Sequence, residues 1–252
     1  LFSIGRDIDP MINENELKSL FYIIKEERVM DFSLSKEHKL LQEMYRKFAE
    51  NEVKPLAQEI DEEERFPRET VEKLAKYGFL GIPYPKEYEG QGADYLAYIM
   101  AVEELAKVCA TTATIVAAHA TLGVFPIYQF GTPEQKKKYL PDLLSGRKLG
   151  AFALTEPGAG TDSSMQQTKA VKDGDTYILN GTKCFITNAG EADTYIVSAM
   201  TDKSLGNHGI STFIVEKGTP GFSFGKHEKK MGIRGSATAD LKIGRASCRE
   251  RV

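Results

Sequence analysis

Several residue types are scarce in this 252-residue chain, and the number of cysteines excludes two kinds of site. The sequence contains no tryptophan and only four histidines. Its three cysteines, Cys109, Cys184 and Cys248, are odd in number and far apart, which excludes a disulfide framework and a CxxC metal site. This cysteine usage favours a reducing compartment, and we expect no bound metal.

Charge and sequence patterns exclude further classes. A formal net charge of -3 gives no reason to expect nucleic acid or a membrane surface as partner. We expect no apolar run to reach the length of a transmembrane helix. The chain lacks a GxGxxG motif after a strand and lacks GxxxxGK[ST], so neither a Rossmann dinucleotide site nor a P-loop is predicted. With 41% hydrophobic and 27% charged residues, the composition is that of a globular protein.

Both ends of the sequence have unusual features. "KEERV", residues 25–29, can be encoded by a purine-rich tract, which resembles a bacterial ribosome-binding site just before Met30. We therefore expect Met30 to be the natural start and residues 1–29 to be a non-native leader. The strand-like run that precedes residues 244–252 stops abruptly there, and we expect those residues to be a non-native tail.

Residues 30–147 have the apolar spacing of helices. Ser33 or Ser35 can cap the first helix, and Pro55 is expected to kink or break it. Pro67 suits the first turn of another helix.

Three further patterns complete this helical part. Residues 94–106 and 111–122 are apolar on most sides and predict two buried helices. Thr132, Pro133 and Gln135 predict a helix start with a capping box.

The pattern changes to short β-rich runs over residues 148–243. Asp173-Gly174 and Asn180-Gly181 are the dipeptides most typical of β-hairpins. A helical half followed by an antiparallel β half predicts an α+β fold.

One short motif suggests a ligand site. In "TEPGAGTD", residues 155–162, Gly158 and Gly160 let the backbone bend sharply and expose N–H groups to an anionic ligand. A tight surface turn explains the same octamer equally well. "CFIT", residues 184–187, likewise reads as an ordinary buried strand when it is taken alone.

Several motifs that follow one another in the order typical of one family favour a ligand site over an ordinary turn and strand. "ALTEPGAGTD" (153–162), "NGTKCFITNAG" (180–190) and "KKMGIRGSAT" (229–238) resemble the acyl-CoA dehydrogenase flavoprotein family, most closely its bacterial short-chain, butyryl-CoA type. The resemblance implies an N-terminal helical domain, a middle β-barrel or sandwich-like domain and a C-terminal four-helix domain. We expect the first two at residues 30–147 and 148–243 and the third to be absent from this sequence.

The resemblance also implies a chemistry. Family members desaturate an acyl-CoA between Cα and Cβ, as one step of fatty acid β-oxidation, by losing an α-proton and transferring a β-hydride to N5 of FAD. By resemblance, Thr161 also meets the substrate's pantetheine arm. Many members carry Trp where this chain has Phe185, and Phe keeps the apolar ring but loses the indole N–H. The residues expected to bind the flavin are Phe152, Leu154, Thr155, Gly160, Thr161, Phe185, Ile186 and Thr187.

The family's catalytic Glu lies in the C-terminal domain, so we expect no catalytic residue in this chain, which is then inactive by itself. Glu156 is expected to be structural and His119 a core residue, whereas His38, His208 and His227 show no partner spacing and are expected at the surface. The implied partners are an acyl-CoA substrate and electron-transferring flavoprotein, with a homotetramer at full length in the bacterial cytoplasm. The alternatives are an acyl-CoA oxidase, a flavin monooxygenase or a non-catalytic acyl-CoA-binding fragment.

Overall fold

Helices occupy the first half of the described chain and strands the second half. The structure is a computed structural model that describes residues 32–252. The predicted α+β order is confirmed. The expected leader, residues 1–29, lies outside the described residues.

The helical half combines α-helices with two π-helical segments. The π-helical segments are Ala49–Val53 and Ala118–Val124. Within residues 32–252 the α-helices are α1 (Lys36–Phe48), α2 (Lys54–Glu62), α3 (Arg68–Lys76), α4 (Tyr95–Val108), α5 (Ala110–Ala117), α6 (Phe125–Phe130) and α7 (Pro133–Leu144).

Two helix starts follow the sequence signals, whereas Pro67, predicted in the first turn of a helix, is the residue just before α3. Thr132 and Gln135 form the predicted capping box, with the Gln135 N–H donating to Thr132 Oγ1 at 3.3 Å and the Thr132 N–H donating to Gln135 Oε1 at 3.0 Å. Pro55 stands in the first turn of α2, but the residues before it are also helical, so a carbonyl one turn earlier receives no N–H from this position. The interruption expected at Pro55 therefore takes the form of the π-helical segment just before α2.

A long apolar helical stretch corrects one expectation. Residues Ala110–Phe130 run for 21 residues with a mean hydropathy of 1.4, so among the described residues one helix is long and apolar enough to cross a membrane. The expectation that no run reaches this length was wrong. Because 61% of its most apolar window is buried inside the protein, the stretch has the burial of a core helix.

Helix α4 is less buried than its sequence suggested. Asp94 caps it by accepting the Ala97 N–H at 2.8 Å. Its first turns expose Tyr95, Leu96 and Ile99, whereas Leu105 near its end is fully buried. Apolar composition on all sides therefore does not mean burial along the whole helix.

Seven strands form a single sheet within the described residues, in the order β1-β4-β2-β3-β7-β6 with β5 paired to β4. The strands are β1 (Gly150–Ala153), β2 (Lys169–Asp173), β3 (Thr176–Thr187), β4 (Thr194–Met200), β5 (Ile210–Glu216), β6 (Phe222–His227) and β7 (Thr238–Cys248).

The sheet is mixed, which differs from the expected antiparallel domain. Strand β1 pairs parallel to β4, with Gly150 opposite Thr194 and Ala153 opposite Val197, and β2 meets β4 in parallel at Lys169. The other pairs are antiparallel. Two strands, β2 and β3, lie between β1 and β4 in the chain. This long crossover connection permits parallel pairing of β1 with β4, whereas a hairpin connection does not.

Only one of the two predicted hairpin turns forms. Asp173 and Gly174, the latter with φ +56°, end β2 at a turn into β3. Asn180 and Gly181 lie inside β3 instead. A Cβ at Gly181 would collide with Thr168, so this glycine serves close packing rather than a turn.

Residues 244–252 belong to the sheet and its border. Strand β7 continues to Cys248, whose side chain is buried, and the Val252 N–H donates to the Thr212 carbonyl at 2.8 Å. The non-native origin expected for this tail stays a prediction.

The π-helical segment Ala118–Val124 lies directly against β1. A Cβ at Gly123 would come within 2.7 Å of the Gly150 backbone. We expect Gly123→Ala to lower the free energy of unfolding by about 1–3 kcal/mol, since backbone atoms cannot give way as a flexible side chain can. Urea unfolding followed by circular dichroism measures this.

Gly158→Ala is the matched control, because no atom lies within 4 Å of a Cβ at that position. Its free energy of unfolding should stay within about 0.5 kcal/mol of the wild-type value. Equal effects of the two substitutions would contradict the close-packing explanation.

Candidate functional site

The glycine-rich turn after β1 projects from the sheet. Glu156 and Ala159 exchange two backbone hydrogen bonds of 3.0 and 3.1 Å, which close a short loop. Pro157, Gly158 and Gly160 are exposed, and no atom lies within 4 Å of a Cβ at either glycine. The loop therefore leaves open space around its backbone.

Strand β3 carries a β-bulge opposite β7. Lys183 pairs with Leu241 and Ile186 with Ala239, so three steps along β3 match two along β7. Phe185 occupies the bulge with φ +59° and has 63% of its surface exposed. A left-handed backbone is rare for a bulky residue, and such strain concentrates at ligand sites.

Two hydrogen bonds join the turn to the bulge. The Cys184 N–H donates to the Thr155 carbonyl at 2.9 Å, and Lys183 Nζ donates to the Leu154 carbonyl at 2.9 Å. The two motifs, about thirty residues apart in sequence, thus form one edge of the sheet.

A buried ion pair lies behind this edge. Lys183, with no exposed surface, places Nζ 2.8 Å from Glu156 Oε1. Glu156 also accepts the backbone N–H groups of Gln167 at 2.5 Å and Thr168 at 3.0 Å. Burial alone raises the pKa of Glu156, but these hydrogen bonds outweigh burial and hold the pKa below its usual range. Glu156 is therefore an ionised structural group.

The predicted flavin-binding residues divide by exposure. Gly160, Thr161 and Phe185 are exposed, whereas Ile186 is buried, with only 2% of its surface exposed. The half-buried members are Phe152, Leu154, Thr155 and Thr187.

Sequence reasoning missed Lys183 as a member of the site. The available signal was a lysine in the middle of an apolar β-rich run, since a lysine is almost never fully buried unless it is paired. Its partner, Glu156, lies 27 positions earlier, and no local pattern connects the two.

His119 is the buried core residue that was predicted. Its Nδ1 accepts the Gly150 N–H at 2.9 Å, and its Nε2 donates to the Leu143 carbonyl at 3.1 Å. Burial lowers the pKa of His119 to about 4, so the ring is neutral near pH 7. His119 thus ties the start of β1 to the helical half.

His38 departs from the expectation of a surface residue without a partner. It is half-buried, and its Nε2 lies 3.0 Å from Asp94 Oδ2, a contact 56 residues away in sequence. Spacing along the chain cannot reveal such a long-range partner. His208 and His227 are exposed, as expected.

Two family models match the chain: the acyl-CoA dehydrogenase N-terminal domain over residues 35–147 and the middle domain over residues 151–245. The chain belongs to the acyl-CoA dehydrogenase family. The resemblance found in its motifs is thereby confirmed.

Similar proteins agree with this assignment. A short-chain specific acyl-CoA dehydrogenase of Clostridium acetobutylicum is 58% identical over 84% of this chain and 56% of its own length. A solved structure described as an electron transferring flavoprotein of Acidaminococcus fermentans is 52% identical, with a TM-score of 0.85, over 87% of this chain and 58% of its own. An acyl-CoA dehydrogenase of Bacillus anthracis complexed with FAD is 40% identical, with a TM-score of 0.80, over 86% of this chain and 37% of its own. The chain spans about half the length of the curated relatives it matches.

Proposed function

We propose that the protein of which this chain forms part is an FAD-dependent acyl-CoA dehydrogenase that desaturates a short-chain acyl-CoA between Cα and Cβ. The observation that carries the proposal is the exposed Phe185 ring, held on a strained bulge beside the glycine-rich turn. The short-chain relative supports the substrate class, and the FAD complex of another relative supports the cofactor.

The residues at this edge fit a flavin. Phe185 offers an apolar ring face, and the half-buried Thr155 and Thr187 carry hydroxyl groups. Bound FAD would supply the hydride acceptor for this chemistry. We assign the flavin ring to Phe152, Leu154, Thr155, Phe185, Ile186 and Thr187, the pyrophosphate to Gly160 and Thr161, and the pantetheine arm to Thr161.

The proton acceptor for the α-proton lies elsewhere. Glu156 is a buried carboxylate within the turn, but its oxygens already accept hydrogen bonds from Lys183 and two backbone N–H groups. A carboxylate whose ionised form is stabilised by these hydrogen bonds is a weak base for the α-proton. We therefore place the catalytic base outside residues 32–252, as the family resemblance implies.

We further propose electron-transferring flavoprotein as the electron acceptor, a homotetramer at full length and a cytoplasmic location. The likeness to the Acidaminococcus fermentans structure supports the first of these. Three buried free cysteines support a reducing compartment.

A flavin titration tests the cofactor assignment. We expect FAD to bind the full-length protein with one site per chain, seen as quenching of flavin fluorescence. Anaerobic addition of butyryl-CoA to the full-length protein should then bleach the flavin, and the reduced flavin should react slowly with oxygen. Rapid reaction with oxygen would indicate an oxidase or monooxygenase, and no flavin binding would overturn the proposal.

Phe185→Ala is expected to weaken FAD binding about tenfold, because stacking on an aromatic ring is worth about 1–3 kcal/mol. The free energy of unfolding should change little, since the ring is 63% exposed. Val171→Ala is the control, because Val171 is 59% exposed on β2 and lies outside the assigned site. Equal FAD dissociation constants for the two variants would exclude Phe185 from the flavin site.

A further inference from the structure

The buried ammonium of Lys183 has a complete set of acceptors. Its Nζ donates to the Leu154 carbonyl at 2.9 Å, to Glu156 Oε1 at 2.8 Å and to Gln166 Oε1 at 3.3 Å. Gln166 in turn accepts the Ser198 hydroxyl at 2.7 Å, which links the group to the central strand β4. Each of the three N–H bonds thus has a defined direction.

This network fixes one peptide group of the turn. Lys183 holds the Leu154 carbonyl inward, and Cys184 holds the Thr155 carbonyl. The Leu154–Thr155 peptide bond is trans, so its N–H points opposite to its carbonyl. The Thr155 N–H therefore points away from Lys183, and it donates to no other described residue.

Stability alone does not account for an ion pair in this place. Two buried charges lose hydration, and well-packed apolar residues of similar volume often stabilise a protein as much or more. The pair sits directly behind the two segments assigned to the flavin, and one of its hydrogen bonds ends on a backbone atom of the turn. Apolar side chains could not orient that backbone, because they cannot donate a hydrogen bond to the Leu154 carbonyl.

We propose that Lys183 and Glu156 are positioning residues that aim the Thr155 N–H at the flavin's pyrimidine edge, which the family resemblance places at the Thr155 backbone. The inference rests on the proposed function and assigns the pair a role within it. A preorganised N–H donor stabilises negative charge without reorganisation, and that charge develops on the pyrimidine ring when the flavin is reduced. The pair therefore favours binding of reduced FAD over oxidised FAD.

The test uses the charge-balanced double variant Lys183→Met with Glu156→Gln in the full-length protein. It removes both charges together, so no unpaired charge remains buried and the net charge of the network is unchanged. We expect the dissociation constant of oxidised FAD to rise about threefold and that of reduced FAD at least tenfold, because hydrogen bonds to charged acceptors are about twice as strong as neutral ones. Both constants are measured anaerobically by fluorescence and absorbance titration.

The matched control is Lys107→Met with Glu104→Gln in helix α4. Glu104 is 2% exposed and accepts Lys107 Nζ at 2.9 Å, so this control also removes a buried carboxylate and a lysine paired with it. Its other partner, Arg46, is 55% exposed and stays hydrated. Both FAD dissociation constants should stay at their wild-type values.

A second variant keeps the test decisive if the double variant does not fold. An ester oxygen in place of the Thr155 N–H removes the proposed donor and leaves both side chains intact. It should also weaken the binding of reduced FAD more than that of oxidised FAD.

Each outcome has one meaning. A changed ratio of the two dissociation constants in the double and ester variants supports the positioning role. Equal weakening of both redox forms, or no weakening, overturns it while the proposed flavin site stands. Failure of the wild-type full-length protein to bind either form overturns the proposed function itself.

Discussion

Lys183→Met alone is expected to lower the free energy of unfolding by about 3–5 kcal/mol, the usual loss when one partner of a buried ion pair is removed. The Glu156 carboxylate would remain buried behind the turn and would keep only its two backbone donors. The Leu154 carbonyl would lose its donor as well. Urea unfolding monitored by circular dichroism measures the loss.

Two controls separate the unpaired charge from other effects. Lys169→Met, at an exposed position of β2, should change the free energy of unfolding by no more than about 0.5 kcal/mol. Adding Glu156→Gln to Lys183→Met should recover most of the lost free energy of unfolding, because the protein then no longer buries an unpaired Glu156 carboxylate. A double variant no more stable than Lys183→Met would show that lost packing, and not charge, dominates.

Acid should destabilise the protein between pH 6.5 and pH 4 through His119. The pKa of this buried ring is lowered to about 4, whereas an exposed histidine in the unfolded chain titrates near 6.5. Below pH 6.5 the His119 ring binds a proton in the unfolded state but stays neutral in the folded state, so the free energy of unfolding falls as the pH falls. Above pH 6.5 the ring is neutral in both states and does not lower the free energy of unfolding. By pH 4 the free energy of unfolding has fallen by about 3 kcal/mol, since each unit of difference between the two pKa values corresponds to about 1.4 kcal/mol.

His119→Gln isolates this effect. The glutamine does not titrate, so the free energy of unfolding of the variant should depend less on pH than that of the wild type above pH 4.5. Below that value, depressed carboxylate pKa values such as that of Glu156 add their own loss. His208→Gln is the control, since His208 is exposed. Parallel pH profiles for wild type and His119→Gln would refute the prediction.

Local signals in the sequence predicted local structure well. The Thr132 capping box involves atoms three residues apart, so the sequence contains all that the helix start requires. The family motifs likewise predicted that the glycine-rich turn and the CFIT segment belong to one site. Their hydrogen bond between Cys184 and Thr155 confirms that they meet.

Long-range pairing explains what the sequence could not reveal. Asn180-Gly181 has the local preference of a hairpin, yet the ladder between β3 and β7 keeps it within a strand. The bulge that turns Phe185 outward exists only relative to β7, so alternation along β3 alone does not predict its exposure. The partners of Lys183 and His38 are equally distant in sequence.

The π-helical segment Ala118–Val124 has a consequence for insertions and deletions. A π turn accommodates an additional residue compared with an α-helical turn, and each residue of a helix corresponds to a rotation of about 100°. Deleting one residue from this segment would allow regular α-helical turns. It would also rotate either His119 or Gly123 away from Gly150. Substitution at the partly exposed Leu122 is compatible with both contacts, whereas a change of length is not. Homologues that share both contacts should therefore vary in residue identity here and keep the same number of residues.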